Sequence, residues 1–342
     1  MANRVTRKDV AKMAGVSVTA VSRVMNNSGY VVKEKRDAIL KAAEKVGYRH
    51  SPDALAIQQR TTRQLLFYNK DLSNAFSIEL YRGMINHASK HDYMVLLSGT
   101  WDAEKISKML IDGVILARES AIENYVNTIG KNFLPPTVCA SYGRSQKRER
   151  RVPLVEADTY KATEIIIDYL FEKGHTKIAF ATPYMGENPR EAAYRCKLFP
   201  ILKKSIEDYI FVDFTNMATF NFQEEDFFKY GEQLAVRIYE SNIKATAVCC
   251  FNDNIAIGMI QQFNRLGINV PNDISVTGID GIKIGGYVYP KLTTVTISPF
   301  EQGSECVKIL LKMLSGEKVN GRTSMPINII EGESVKFLSG GL

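Results

Sequence analysis

Two short helical segments joined by a tight glycine turn lie near the start of the chain and constrain its fold more than any other feature. The first segment opens with the spacing of a capping box, in which Thr6 and Asp9 satisfy the unpaired amide groups of a helix start. Gly15 can adopt the positive φ angle that a sharp turn requires. Ser17 then has the position of an N-cap for a second helix that extends to about Asn26. This spacing predicts a helix-turn-helix.

A third helix is predicted from Lys33 to Val46, with Gly47 as its C-terminal stop. The same part of the chain carries its positive charge. Residues 1–63 contain 13 Lys and Arg against 5 Asp and Glu, a net charge of +8, whereas the whole chain has +7 and the remaining 279 residues have −1. Because cationic side chains that neutralise phosphates release condensed counterions, this basic module predicts a polyanionic partner such as DNA.

The stretch from Val5 to Tyr48 contains the run D-V-A-x-x-A-G-V-S-x-x-x-V-S-R-V-x-N without a gap. It resembles the DNA-binding domain of the LacI/GalR family of bacterial transcription regulators. The resemblance implies that the second helix enters the major groove, where Val18, Thr19 and Arg23 would contact base edges. A guanidinium group at Arg23 suits the O6 and N7 acceptors of guanine. The phosphate contacts that the resemblance implies are Thr6, Ser17, Ser22 and Asn26.

Members of this family usually continue with a short hinge helix that folds on DNA and inserts a leucine into the minor groove. The counterpart here is residues 49–63, in which Ile57 falls on the leucine position. Pro52 suits the first turn of a helix, with Ser51 as its cap. An apolar wedge at Ile57 would unstack a base step and bend the duplex. Two alternatives stay open: Leu55 is the wedge if Pro52 shifts the register, or the segment is a plain linker.

From Arg63 onward, apolar runs rich in β-forming residues alternate with amphipathic helical stretches. This order predicts parallel strands joined by crossover helices. In open α/β sheets, ligands bind at the carboxyl ends of the strands. The strand candidates are Gln64–Tyr68, Tyr93–Leu97, Gly113–Leu116, Thr137–Ala140, Lys177–Ala181, Tyr209–Phe214, Ala245–Phe251, Ile274–Gly278 and Thr293–Ile297.

Two motifs extend the family resemblance into this body. The sequence F-N-D-N-I-A-I-G at residues 251–258 matches N-D-x-x-A-x-G, and residues 266–280 nearly copy G-x-x-V-P-x-D-x-S-V-x-G-x-D. The resemblance implies a two-lobed α/β domain like the periplasmic sugar-binding proteins of type I, with an effector cleft between the lobes. The effector-binding residues it implies are Asp71, Phe76, Arg195, Asn252 and Asp280.

These residue types suit a polyhydroxylated ligand. Carboxylate, amide and guanidinium groups can bind adjacent hydroxyls, while Phe76 can face the apolar side of a sugar ring. The alternative for Asp280 and Arg195 is a structural ion pair between strand ends. A purine or another small molecule also remains open as effector, because Ile297 replaces a common glutamine and the segment 93–112 is shorter than in the family.

The predicted architecture combines an all-α helix-turn-helix domain with a two-lobed α/β effector domain. Its parts are the DNA-binding domain at 1–48, the hinge at 49–63, the N-terminal lobe at 64–156 and 297–322, and the C-terminal lobe at 157–296 and 323–342.

Several function classes find no support in the composition. No apolar run approaches the roughly 18 residues of a membrane span, and the start of the chain has no apolar signal core, so we expect a cytoplasmic protein without membrane contact. The five cysteines show no CxxC spacing, which favours buried reduced thiols over a disulfide or zinc framework.

No catalytic motif appears, and the sequence predicts neither an enzyme nor a cofactor. His87 and His91 have the i, i+4 spacing of a metal-binding pair but no evident third ligand, so no metal site is expected. A solute-binding protein would share the body fold but not the basic module. An enzyme on the same scaffold is the third alternative, since fold alone does not exclude one.

The expected partners follow from the leading interpretation. They are double-stranded operator DNA with a pseudo-palindromic site, a small effector that is a saccharide by preference, and a second copy of the chain. A homodimer is expected because no leucine heptads follow Phe337, and members of the family that tetramerise use such a tail.

Overall fold

A computed structural model describes residues 5–26, 28–48, 61–70, 75–100, 102, 106, 109–129, 135–143, 152–183, 188–212, 226–241 and 243–338. The chain divides into two compact units, Met1–Thr62 and Arg63–Leu342.

The described residues of the first unit form the helices α1 (Arg7–Ala14), α2 (Val18–Met25) and α3 (Lys33–Val46). Gly15 and Gly47 end α1 and α3 with φ angles of 66° and 67°, the left-handed conformation that glycine adopts without strain. The predicted helix-turn-helix and third helix are therefore confirmed. Their inner faces form one small core of Val10, Ala11, Val21, Val24, Ile39, Ala42 and Ala43.

The described residues of the second unit form two six-stranded sheets. The strands of the first sheet are β1 (Gln64–Tyr68), β2 (Met94–Ser98), β3 (Gly113–Leu116), β4 (Thr137–Ser141), β5 (Leu154–Glu156) and β11 (Arg322–Ser324). Their spatial order is β11-β5-β4-β3-β1-β2, and every neighbouring pair is parallel.

The strands of the second sheet are β6 (Ile178–Thr182), β7 (Ile210–Val212), β8 (Ala247–Cys250), β9 (Ser275–Asp280), β10 (Thr293–Thr296) and β12 (Asn328–Ile330). Their order is β12-β10-β9-β8-β6-β7, in which only the β10–β12 pair of these described strands is antiparallel.

Crossover helices cover the sheets. They are α4 (Ala75–Ser89), α5 (Ser120–Ile129), α6 (Thr159–Glu172), α7 (Pro189–Leu202), α8 (Phe227–Glu240), α9 (Asp253–Arg265) and α10 (Pro299–Leu314). Each sheet has an apolar core on both faces, which explains why its central strands are continuous apolar runs instead of alternating patterns.

The chain passes between the sheets after β5, after β10 and after β11, so each lobe is built from separate stretches of sequence. Strand β11 belongs to the first sheet as far as Ser324, two residues beyond the boundary expected at 322.

All five cysteines are free thiols, of which four are buried. Cys196 on α7 is exposed, unlike the others. Among the described helices, none combines the length and the apolar character needed to cross a bilayer.

Candidate functional site

The outer face of α2 carries the three residues expected to contact bases. Val18 is 42% exposed, and Thr19 and Arg23 are also exposed. The opposite face of the helix packs Val21 and Val24 into the core of the first unit. A helical period of 3.6 residues therefore places Val18, Thr19 and Arg23 together on one side of α2.

Two of the expected phosphate contacts act as helix caps. The hydroxyl of Ser17 accepts from the amide of Ala20 at 3.1 Å at the start of α2. The backbone amide and the hydroxyl of Thr6 both donate to the carboxylate of Asp9, at 2.8 and 2.7 Å. These hydrogen bonds lower the pKa of Asp9. Both residues are exposed at helix starts, where backbone amides favour anions.

The other two expected phosphate contacts, Ser22 and Asn26, lie at the C-terminal end of α2 beside the guanidinium group of Arg7. Sequence reasoning did not single out Arg7. The signal was a basic residue directly after a helix cap, which by itself does not tell which acceptors the side chain reaches.

Three expected residues lie outside the described ranges. They are the hinge candidates Leu55 and Ile57 and the effector candidate Asp71.

A cavity of about 470 Å³ lies between the two sheets of the second unit. Its wall consists of residues at the carboxyl ends of strands from both lobes, as expected for an open α/β fold. Phe76, Asn252 and Asp280 belong to this wall, so the structure brings three expected effector residues together. The wall also contains Ser77, Arg118, Glu119, Ser120, Tyr142, Gly143, Thr159, Asn188, Pro189, Arg190, Phe227, Phe251, Asn254, Ile282 and Ile297.

A buried ion pair lies in the part of the wall that the C-terminal lobe contributes. The guanidinium of Arg190 donates to the carboxylate of Asp280 at 2.9 Å and to the backbone carbonyl of Phe251 at 2.5 Å. It also lies 4.3 Å from the ring centre of Phe251, a cation–π contact. Arg190 is only 8% exposed, which means that its charge is balanced inside the protein.

Arg195 is not part of the cavity, and its expected place in the wall is wrong. Its guanidinium pairs instead with Glu191 at 2.8 Å and with Glu207 at 2.5 Å on the outer side of α7. Helix α7 begins at the cavity, and Arg195 lies five residues beyond Arg190, about 7.5 Å further along the axis. Distance along the helix therefore removes Arg195 from the cavity, and Arg190 occupies the position next to Asp280.

A second buried carboxylate supports the wall from behind. Asp253, the first residue of α9, is fully buried and accepts hydrogen bonds from the amide of Ile282 at 2.8 Å and from the hydroxyl of Thr294. Burial raises the pKa of both Asp253 and Asp280, and repulsion from Asp280 raises that of Asp253 further. Asp253 after β8 thus connects to Ile282 after β9 and to Thr294 in β10, and none of these three residues was assigned a role from the sequence.

Aromatic rings form the apolar part of the wall. The ring of Phe76 meets that of Tyr142 edge to face, with 5.1 Å between ring centres. Asn252 caps α9 by accepting from the amide of Ile255 at 2.9 Å. The Oδ1 atom of Asn254 is buried in the wall and has no hydrogen-bond partner among the described residues. An unsatisfied buried acceptor favours a ligand that donates a hydrogen bond there.

The described residues contain no group of three His, Cys, Asp or Glu side chains arranged to hold a metal ion. His87 and His91 stack with 5.2 Å between ring centres on the surface at the end of α4.

Two family models match the sequence. Residues 6–51 match the model of bacterial regulatory proteins of the lacI family, and residues 167–335 match that of a periplasmic binding protein-like domain. The first match covers the three helices described above, and the second covers much of the C-terminal lobe and the last crossovers.

Relatives extend the similarity over nearly the whole chain. The HTH-type transcriptional repressor PurR of Vibrio atlanticus is 28% identical over 344 residues, covering 98% of this chain and 99% of that protein. A structure of the lac repressor dimer bound to operator and an anti-inducer has a TM-score of 0.74 at 20% identity, covering 98% of this chain and all of that one. A LacI-family transcriptional regulator from Enterococcus faecium with bound ribose has a TM-score of 0.68 at 22% identity, covering 81% of this chain and all of that one.

Proposed function

Because the chain belongs to the lacI family of bacterial regulatory proteins, we propose that it is a transcriptional repressor whose affinity for operator DNA is controlled by a small effector. The observation that carries this proposal is the pairing of a basic helix-turn-helix unit with a separate cavity-bearing unit in one chain. We propose that it acts in the cytoplasm, where the DNA of a bacterial cell lies.

On the DNA side, we assign base reading to the exposed face of α2. Arg23 offers two parallel donors to a guanine, whereas Val18 offers apolar contact to a thymine methyl group. Thr19 adds a hydroxyl that can donate or accept. Thr6, Ser17, Ser22 and Asn26 bind phosphates, which fix the orientation of α2 in the groove without specifying sequence.

The hinge proposal concerns residues 49–63. An apolar side chain, Ile57 or in a shifted register Leu55, enters the minor groove and bends the duplex. Operator DNA that stays straight in the complex, in a circular-permutation bending assay, would contradict this role.

On the effector side, we propose a sugar as ligand. Asp280 and the Oδ1 atom of Asn254 supply hydrogen-bond acceptors for adjacent hydroxyls, and the guanidinium of Arg190 supplies donors. Asn252 lies in the same wall, and Asp71 is a further candidate. Phe76 supplies an apolar surface for the face of the ring. The neighbour from Enterococcus faecium was solved with ribose, which makes a pentose the first ligand to test.

A flat heterocycle such as a purine is the second candidate. The aromatic rings in the wall favour stacking on a planar ligand; they are those of Phe76, Tyr142, Phe227 and Phe251. Sugar hydroxyls and purine N–H groups can both donate to the orphan Oδ1 of Asn254, so Asn254→Leu should weaken binding of either class at least tenfold. Comparison of wild-type affinities for pentoses and purines distinguishes the two classes.

We propose a homodimer as the DNA-binding form. Strand β2 is an edge of the first sheet and exposes Met94 and Leu97 by 62% and 40%. Tyr287 and Tyr289 in the C-terminal lobe are each 86% exposed. Exposed apolar side chains on an open sheet edge favour association with another protein surface. Sedimentation should give a dimer, and a tetramer whose mass does not depend on concentration would contradict the proposal.

A mobility shift with the DNA upstream of the protein's own gene tests the function as a whole. We expect a specific complex at moderate salt, and a change in its affinity with one member of a panel of pentoses, disaccharides and purines. If the effector releases the DNA, it is an inducer, and if it strengthens binding, it is a corepressor. Failure of the dimer to bind any DNA at low salt would refute the proposed function.

A further inference from the structure

The side chain of Arg7 connects α1, α2 and the residues that follow α3 in the first unit. Its Nε atom donates to the hydroxyl of Tyr48 at 3.2 Å, its Nη1 to the hydroxyl of Ser22 at 3.0 Å and its Nη2 to the Oδ1 of Asn26 at 3.4 Å. One guanidinium therefore links the first residue of α1 to the end of α2 and to the residue two positions after α3.

The electrostatics of this position are informative. A cation at the first residue of a helix opposes the helix dipole, so Arg7 is unfavourable for α1 considered alone. Its guanidinium instead lies at the C-terminal end of α2, next to the cap residue Asn26, where a positive charge is favoured. The charge is thus held by contacts across the bundle, and the side chain is half-buried.

The hydrogen-bond chemistry sets the orientation of the two polar partners. A hydroxyl can donate one hydrogen bond and accept two, whereas a guanidinium only donates. When Ser22 accepts from Arg7, its own proton must therefore point away from the cation. When the Oδ1 atom of Asn26 accepts from Arg7, the amide group is fixed with its NH₂ turned away from the guanidinium. The donor groups of both partners, the hydroxyl proton of Ser22 and the NH₂ of Asn26, therefore point away from Arg7.

Phosphate oxygens are acceptors only, so a residue that binds them must present a donor. We propose that Arg7 is a positioning residue for DNA-backbone recognition, which orients Ser22 and Asn26 as donors toward phosphate and holds α1, α2 and the end of α3 in one arrangement. This inference rests on the DNA-binding function proposed above. Because phosphate contacts carry no sequence information, loss of Arg7 should weaken binding to all DNA sequences alike.

The test measures the dissociation constants of the full-length dimer for operator and for unrelated DNA at one salt concentration. The variants are Arg7→Met, Arg7→Lys, Ser22→Ala and the double variant of Arg7→Met with Ser22→Ala. Lys12→Met is the matched control, since it removes the same charge from the last turn of the same helix.

We expect Arg7→Met to weaken both complexes by a similar factor of about ten or more. Lys12→Met should change them far less. The DNA affinities of Arg7→Lys should be close to those of Arg7→Met, because one ammonium group cannot reach three acceptors in separate directions. Ser22→Ala should add little in the Arg7→Met background, because coupled residues give non-additive losses.

DNA binding by Arg7→Lys as tight as that of the wild type would show that charge alone matters and would overturn the inference. It would also be overturned if the fold-losses in affinity of Arg7→Met and Ser22→Ala multiply in the double variant. Circular dichroism checks the fold of each variant. If Arg7→Met does not fold, a second double-mutant cycle built from Arg7→Lys and Ser22→Ala tests the same coupling between the two residues. Wild-type protein that binds no DNA would refute the proposed function, whereas wild-type binding that Arg7→Met leaves unchanged would refute only the role of Arg7.

Discussion

Two arginines of this chain show how surroundings decide what one residue type can do. Arg23 is exposed on α2, so in the proposed complex its fork of donors is available to the groove of a duplex. Arg190 is buried against Asp280 and Phe251, so its charge is balanced within the protein. The family resemblance implied both Arg23 and Arg195 as contact residues. The structure exposes Arg23 on the face of α2 opposite Val21 and Val24. It places Arg190 and not Arg195 in the cavity wall, because the resemblance does not tell which end of α7 reaches the cavity.

Replacement of Arg23 by alanine tests the base-reading role. We expect Arg23→Ala to lower operator affinity by roughly 10- to 100-fold, since a bidentate contact to guanine contributes about 1–3 kcal/mol of discrimination. Binding to unrelated DNA should fall much less. Fluorescence anisotropy on both DNAs measures the two affinities, and equal losses on both would show that Arg23 contacts only the backbone.

The buried carboxylates Asp253 and Asp280 predict a pH dependence of stability. Burial raises their pKa values in the folded state, so the folded protein binds protons more readily than the unfolded chain. Their contribution to stability is therefore greatest below the ordinary aspartate pKa and is lost as the pH rises through their raised pKa values.

Denaturant unfolding at pH 5 and pH 8 measures this contribution. Wild-type protein should lose more stability between these two values than Asp253→Asn, which keeps an acceptor oxygen but cannot ionise. Comparing the two proteins cancels the contributions of other groups, such as Glu207, whose pKa Arg195 lowers. An identical pH dependence in both proteins would show that Asp253 does not titrate in this range.

At the scale of elements, the strands that lie in continuous apolar runs were predictable, whereas three of the short strands were not. The nine strand candidates correspond to β1–β4 and β6–β10, because buried parallel strands are continuous apolar runs. Strands β5, β11 and β12 have three residues each, too few to show a period. Strand β7 is equally short, but it lies in the apolar run from Tyr209 to Val212, which the sequence shows. Their pairing depends on neighbours distant in sequence, which also explains why the lobe boundary near residue 322 fell inside β11.

A close helix crossing gives the glycine of the F-N-D-N-I-A-I-G motif its role. A Cβ atom at Gly258 on α9 would overlap the backbone carbonyl of Phe228 on α8, and one at Gly231 would overlap that of Ile255. The two helices therefore approach each other through reciprocal glycines. Backbone atoms cannot move aside as a flexible side chain can, so a larger residue at either position must separate the helices.

We expect Gly258→Ala to lower the free energy of unfolding by about 1–3 kcal/mol, the usual cost of overpacking. Gly321→Ala is the matched control, because it has no atom within 4 Å of an added Cβ and no positive φ angle. Chemical denaturation measures both. Equal stability of the two variants would contradict the close crossing.

For the whole molecule, the net charge of +7 is an average over two unlike parts. The first 63 residues carry +8 and the remainder −1, and the boundary between the compact units falls at the same place in the chain. Charge distribution and motif order could therefore be read from the sequence, whereas the geometry of the cavity could not. The cavity depends on which side chains meet when separate stretches of chain pack as two lobes, as the exchange of Arg195 for Arg190 shows.

The central claim is that one unit binds DNA and the other binds the effector. The most direct measurement compares the full-length chain with a fragment starting at Arg63, using anisotropy on upstream DNA at several salt concentrations and calorimetry with the effector. We predict that the full chain binds DNA with a steep salt dependence, whereas the fragment binds none and keeps its effector affinity. A fragment that binds DNA as tightly as the full chain, or that loses the effector, would contradict this division of function.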